Sequence, residues 1–163
     1  MCIRDSASKA WIESRPEDYF PHPVMGNVVT LVFVRNPGIA FSFLTGYPAS
    51  TVRVLLIAVS LIVIAFIAWM LVASRSGGSL QAAGLALLLA GATGNVTDRI
   101  LHGAVTDFIE VWLRFVPLSI FHPWPAFNVS DSAITVGAIL IVLEVLFVDR
   151  HHRTSAKSSA QLR

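Results

Sequence analysis

The chain has 163 residues, of which 55% are hydrophobic and only 13% charged; its formal net charge is +2 and its mean hydropathy is +0.69. This composition excludes an ordinary soluble domain and predicts one integral membrane domain over residues 1–163, with no nucleic-acid partner. The single cysteine, Cys2, excludes an internal disulfide, and the five histidines lack metal-ligand spacing, so we expect no metal and no cofactor.

The first patterned segment runs from Val24 to Leu44 and is too short in its apolar run to cross a bilayer. It is rich in valine, threonine and phenylalanine and contains the turn signal Asn36-Pro37-Gly38. We therefore predict a strand, a turn and a second strand, forming a small β element that lies on the membrane.

Three later segments are apolar enough to span a membrane. Thr51 to Ala73 is nearly unbroken apolar sequence, and Leu80 to about Ile100 is rich in the small residues that permit close helix packing. The third starts near Asp131 or Ser132 and ends at Val148, with Glu144 as its one interior charge. The prediction is an all-α polytopic membrane protein with three transmembrane helices and a small extracytoplasmic β element.

Basic residues set the expected orientation. Arg75 lies between the first two spans, and residues 150–163 form a basic tail, so both are predicted to be cytoplasmic. The loop from His102 to Ser130 then faces outward. Within it, Phe108 to Ile120 mixes aromatic and aliphatic residues and is predicted to form an interfacial helix or turn.

Two aspartates lie on either side of this outward loop, Asp107 in GAVTDF and Asp131 in FNVSDS. An acidic pair at a bilayer boundary is costly and usually functional. Two adjacent carboxylates that share one proton can supply both the base and the acid for amide hydrolysis. Because Asp131 stands at the positive end of a helix, the hypothesis is that Asp131 starts as the base and Asp107 as the acid.

Other interpretations stay open from the residues alone. Asp131 could serve only as a helix N-cap, and Asp107 could pair with Arg114. We predict an ion pair between Asp98 and its neighbour Arg99. In function, a small membrane transporter or proton-relay protein is the alternative to a hydrolase.

Four ordered motifs resemble those of lipoprotein signal peptidase, also called signal peptidase II. They are Asn36-Pro37-Gly38-Ile39-Ala40-Phe41-Ser42, Gly91-Ala92-Thr93-Gly94-Asn95-Val96-Thr97-Asp98-Arg99, Gly103-Ala104-Val105-Thr106-Asp107-Phe108 and Phe127-Asn128-Val129-Ser130-Asp131. The resemblance implies a multi-pass aspartyl endopeptidase of the bacterial inner membrane, with its active site on the extracytoplasmic side. Such an enzyme removes signal peptides from prolipoproteins just before a diacylglyceryl-modified cysteine. Its partners would be that lipid-modified substrate and membrane lipids, and we expect a monomer.

If the family's roles are assigned to the residues in the matching motifs, the resemblance implies that Asp107 and Asp131 form the catalytic pair. The substrate-binding residues would be Asn36, Gly38, Phe41, Asn95, Arg99 and Asn128, and Asp98 would give structural support. Arginine offers a fork of donors, and asparagine offers both a donor and an acceptor.

The start of the chain departs from the family pattern. The resemblance implies four transmembrane helices, of which the first, expected before Lys9, is missing. Met1 to Ser6 is not membrane-like and is interpreted as a foreign or artefactual start. Asp5 and Lys9 match the spacing of a family signature, but we give Asp5 no role. An inactive, truncated family member is therefore a third possibility.

Overall fold

The computed structural model describes residues 2–26, 28–38, 47–73, 78–113 and 123–148. Its helices are α1 (Cys2–Glu13), α2 (Ala49–Ala73), α3 (Ser79–Leu101) and α4 (Val129–Leu143), and a π-helical turn (Glu144–Val148) continues α4. Its strands are β1 (His22–Met25), β2 (Val29–Asn36), β3 (Val105–Val111) and β4 (Trp124–Phe127), and a 3-10 turn (Glu17–Tyr19) precedes β1.

Three of these helices are long and apolar enough to cross a membrane, namely Ala49–Ala73, Ser79–Leu101 and Val129–Phe147. They confirm the three predicted spans, and the third begins at Val129, slightly before its predicted start. The large side chains of α2 are mostly exposed, as is usual where a helix faces hydrocarbon rather than protein.

Close packing of α3 against α4 depends on glycine. A Cβ atom on Gly84 would lie 2.7 Å from the carbonyl oxygen of Gly137, and a Cβ on Gly137 would lie equally close to the carbonyl oxygen of Gly84. The two backbones therefore touch where neither residue has a side chain. The small residues of the second span have the packing role that the sequence predicted.

The strands form one antiparallel sheet in the order β1-β2-β3-β4. The predicted strand before Asn36 is confirmed as β2, and its partners are β1 and the later strand β3. The second strand predicted after the Asn36-Pro37-Gly38 turn falls largely on residues 39–46, outside the described residues.

The prediction of an interfacial helix or turn over Phe108 to Ile120 is wrong for its first four residues, which belong to β3. The first four residues of β3, from Val105 to Phe108, are all buried, so the alternation that marks a half-exposed strand is missing there. Residues 114–120 of that prediction lie outside the described part of the chain.

The sheet lies at one end of the helices, because β3 follows the end of α3 and β4 leads directly into α4. The last turn of α1 contacts the same region through the hydrogen bond that Oγ1 of Thr106 donates to Oε1 of Glu13, at 2.6 Å. We call this region the sheet end of the helices. The described residues predicted for the site lie in β2, β3, α3 and the start of α4, except Gly38, which follows β2 closely, and Asn128, which directly precedes α4.

Candidate active site

Asp107 lies in β3 and is buried, with both carboxylate oxygens hydrogen-bonded. Asn36 in β2 pairs with Val105, which places its side chain diagonally across from Asp107 on the sheet. Its Nδ2 donates to Oδ2 of Asp107 at 3.0 Å, and Nδ2 of Asn128 donates to Oδ1 at 2.7 Å. Two asparagine amides thus fix the orientation of this carboxylate.

Asp131 occupies the first turn of α4. It is the third helical residue of a capping box and not the N-cap that sequence reasoning left open; the N-cap is Asn128. Oδ2 of Asp131 accepts from the backbone N–H of Asn128 at 3.1 Å, and Oδ1 accepts from Nδ2 of Asn95 at 2.7 Å. The start of the helix and a residue of α3 together orient the second carboxylate.

Asn128 connects the two aspartates. It is fully buried, at 0% exposure. Its Nδ2 donates to Asp107 and, at 3.3 Å, to Oδ1 of Asn95, while its Oδ1 accepts from the backbone N–H of Asp131 at 3.0 Å. Both amide hydrogens are used within the protein, so this side chain is placed to hold the two carboxylates together.

The surroundings of Asp107 raise its pKa above the ordinary aspartate value. Burial is the largest cause, and the negative charge of Asp131 acts in the same direction. The hydrogen bonds from Asn36 and Asn128 and the charge of Lys9 lower the pKa and offset part of that rise. Asp107 therefore retains a proton to a higher pH than an exposed aspartate does.

Arg99 extends from α3 toward the aspartates and is half-buried. Its Nη1 donates to the backbone oxygen of Asn95 at 3.3 Å, and its Nε is the one buried side-chain nitrogen or oxygen of the described residues without a hydrogen-bond partner. A Cβ atom added to Gly38 would clash with Leu56 and lie 3.7 Å from that Nε. Gly38 has φ of +97°, and this backbone conformation, together with the contact with Leu56, favours glycine at this position.

Asp98 pairs with a different residue from the one expected. The ion pair predicted with Arg99 is replaced by one with Lys9 of α1, whose Nζ lies 2.5 Å from Oδ2 of Asp98 and 2.7 Å from Oδ2 of Asp5. Oδ1 of Asp5 accepts from the backbone N–H of Ser130 at 3.1 Å. Asp98 therefore connects α3 to α1 and not to its neighbour in the same helix.

The buried Asp5–Lys9–Asp98 cluster is the part of the site that sequence reasoning missed. The exposed fractions of its members are 2%, 4% and 7%. The cluster joins α1 to α3. Through Asp5 it also binds the backbone of Ser130, the residue directly before Asp131. The available signal was the spacing of Asp5 and Lys9, which places both side chains on one face of a helix.

Some sequence predictions fall outside the described residues. These are the substrate contact predicted for Phe41, the alternative pairing of Asp107 with Arg114, and the basic tail. Within the described ranges, no group of three or more His, Cys, Asp or Glu side chains is arranged to hold a metal ion.

A polytopic membrane protein with two aspartates that are both hydrogen-bonded to one buried asparagine has the architecture of a membrane aspartic protease. A family model described as signal peptidase (SPase) II matches residues 1–147. The lipoprotein signal peptidase of Geobacter metallireducens is 38% identical over 91% of this chain and 86% of its own length. That of Syntrophus aciditrophicus is 37% identical over 90% of this chain and 87% of its own length.

Two solved structures, each described as a bacterial membrane enzyme, have the same fold. They share 26% identity with this chain, cover 89% and 90% of it, and superpose with TM-scores of 0.72 and 0.75. The matched portions are 82% and 87% of those chains. The chain belongs to the signal peptidase II family, the aspartic-type proteases that are integral to bacterial membranes. The transporter alternative is not favoured.

Proposed function

We propose that Asp107 and Asp131 are the catalytic pair with which this protein cleaves the signal peptide from a prolipoprotein, at the bond before the lipid-modified cysteine. The observation that carries the proposal is the continuous chain of hydrogen bonds from Asn36 to Asp107, Asn128, Asp131 and Asn95. Such a network holds two carboxylates near each other, which a purely structural pair does not require.

In the proposed reaction, ionised Asp131 takes a proton from water as the water oxygen bonds to the carbonyl carbon of the scissile amide. Asp107 donates its proton to the carbonyl oxygen, which gives a neutral tetrahedral diol. As the diol collapses, Asp107 regains a proton from one hydroxyl group, and Asp131 gives its proton to the departing nitrogen. The raised pKa of Asp107 supports its assignment as the initial acid.

Arg99 and Gly38 are suited to hold the substrate backbone beside the pair. The unpaired Nε of Arg99 is a donor that a peptide carbonyl can satisfy, and the backbone of Gly38 lies close to that donor. Asn36 and Asn95 are engaged with the aspartates, so we propose that they, like Asn128, position the pair. We further propose that the protein works as a monomer among membrane lipids, with the sheet end on the extracytoplasmic side.

The proposed function predicts a defined product. The purified protein in detergent micelles is expected to cut a synthetic prolipoprotein peptide at the bond before the lipid-modified cysteine, so that the released fragment begins with that cysteine. Mass spectrometry of the products identifies the bond. The control is the same peptide with an unmodified cysteine. Cutting at another bond, or equal cutting of both peptides, would contradict the proposed specificity.

The raised pKa of Asp107 predicts a pH effect of Asn36→Ala. An acid must be protonated to act, so kcat falls as the pH rises through the pKa of Asp107. Asn36 stabilises the ionised carboxylate and lowers this pKa, so its removal raises the pKa further. The basic limb of the kcat profile is therefore expected at higher pH than in the parent protein.

The control for this pH measurement is Thr30→Ala in the same strand, which is expected to leave the basic limb in place. A basic limb in Asn36→Ala that is unmoved or lies at lower pH would mean that Asp107 is not the acid.

A further inference from the structure

A groove beside Asp131 lies between the edge strand of the sheet and α4. It has a volume of about 430 Å³ and is lined by Trp124, Phe127, Asp131, Ser132, Thr135 and Val136. Trp124 and Phe127 come from β4, and the other four come from one side of the first turns of α4. We call this the β4–α4 groove. One end of it is a member of the proposed catalytic pair.

The polar side chains along the groove are already satisfied. Oγ of Ser132 donates to the backbone oxygen of Asn128 at 3.1 Å, and Oγ1 of Thr135 donates to that of Asp131 at 2.9 Å. The α4 wall therefore offers mainly methyl and methylene surface beyond Asp131. This wall would offer an extended peptide few partners for its own N–H and C=O groups.

The groove is short. Asp131 and Val136 are five residues apart, which corresponds to about 7.5 Å along the helix axis. A segment of that length holds only the first part of a bound chain, and its mainly apolar lining suits a chain without hydrogen-bonding groups.

We propose that the β4–α4 groove binds the first methylene groups of an acyl chain carried by the substrate cysteine. This inference rests on the proposed function. The substrate cysteine carries the lipid and also supplies the nitrogen that leaves in the proposed reaction. The lipid must therefore begin close to the proposed catalytic carboxylates. From Asp131, α4 continues into its membrane-spanning part, and the groove leads an acyl chain in that direction.

The proposed role of the groove is to orient the substrate cysteine relative to Asp131, and not to add binding free energy. An acyl chain is already in an apolar medium, so moving it from the bilayer into the groove gives little hydrophobic free energy. An aligned chain instead fixes the position of the cysteine relative to Asp131, and misplacement by about 1 Å can reduce a rate by about a hundredfold.

The test uses two peptides of the same sequence, one with palmitoyl and one with acetyl groups on the glyceryl-cysteine. The Val136→Trp variant fills the groove, and Thr135→Trp is a second variant, one residue earlier on the same α4 wall. Each is expected to lower kcat/KM for the palmitoyl peptide by about tenfold, while the rate with the acetyl peptide stays within about twofold of the parent.

The matched control is Val142→Trp, which adds the same side chain to an exposed position of α4 beyond the groove. It is expected to change neither rate. Equal losses on both peptides in the groove variants, or no loss on either, would overturn the proposal. Failure of the parent protein to cut either peptide would instead overturn the proposed function.

Discussion

Replacing Asp107 by asparagine is expected to reduce kcat for prolipoprotein cleavage by about 10²–10⁴-fold, and the same change at Asp131 is expected to have a comparable effect. Each variant keeps the shape of the side chain but removes a group that must exchange protons in every turnover. The measurement is the rate of product formation from a lipidated peptide by the purified variants in micelles.

The structure adds a detail to this experiment. Both oxygens of Asp107 accept hydrogen bonds from amide groups, so one end of the new amide would face a donor. A modest loss of stability is therefore expected beside the loss of rate, and thermal unfolding should be measured for each variant. The control is Asp18→Asn, an exposed aspartate in the 3-10 turn, which is expected to keep its rate within about twofold.

The losses of kcat caused by Asp107→Asn and Asp131→Asn are not expected to add in the double variant. If the carboxylates act as a unit, the double variant will be about as slow as the slower single variant. Retention of near-parental activity in either single variant, with the protein folded, would eliminate the proposed catalytic pair.

Lys9→Met is expected to lower the free energy of unfolding by about 3–5 kcal/mol, because it leaves two buried carboxylates without their cation. Lys9 is the shared partner of Asp5 and Asp98, and all three side chains are almost completely buried. Thermal unfolding in detergent, followed by helix content, provides the measurement.

A triple variant distinguishes a charge effect from lost packing. Asp5→Asn and Asp98→Asn combined with Lys9→Met remove every charge of the cluster, and the new amide at position 5 can still accept from Ser130. This protein is expected to regain most of the lost stability, since replacing a whole buried ionic group often costs little. If the triple variant were as unstable as Lys9→Met alone, unpaired buried charge would not be the cause.

The proposed catalytic pair could be singled out from the sequence alone. Asp107 and Asp131 stand in short polar motifs that border apolar segments, and an acidic pair so close to hydrocarbon is costly enough to indicate a function. Helix α4 could also be predicted to begin near Asp131. The sequence did not reveal that Asn128, and not Asp131, caps the helix, because several residues there can serve as the cap.

The partner of Asp98 could not be predicted, because two residues that are adjacent in a helix do not face each other. Neighbouring residues point about 100° apart around the helix axis, so Asp98 and Arg99 face different surroundings. Asp98 meets Lys9, which lies 89 positions earlier in the chain. Only the packing of α1 against α3 brings the two together, and no local pattern reports that packing.

The strand β3 was missed for a different reason. Strand prediction relies on alternation of buried and exposed residues, and Val105, Thr106, Asp107 and Phe108 are all buried. A buried polar residue such as Asp107 breaks the apolar run that would otherwise mark an interior strand. The buried Asp107 thus obscured the strand that carries it.

The capping box of α4 links catalysis to the local melting of one helix. The bonds between Asn128 and Asp131 both begin the helix and aim a proposed catalytic carboxylate. Fraying of this single turn would misplace the carboxylate of Asp131 and stop turnover while the rest of the bundle stays folded. Heating should therefore abolish turnover before it unfolds the membrane spans, and a ligand that clamps this turn should raise the inactivation temperature.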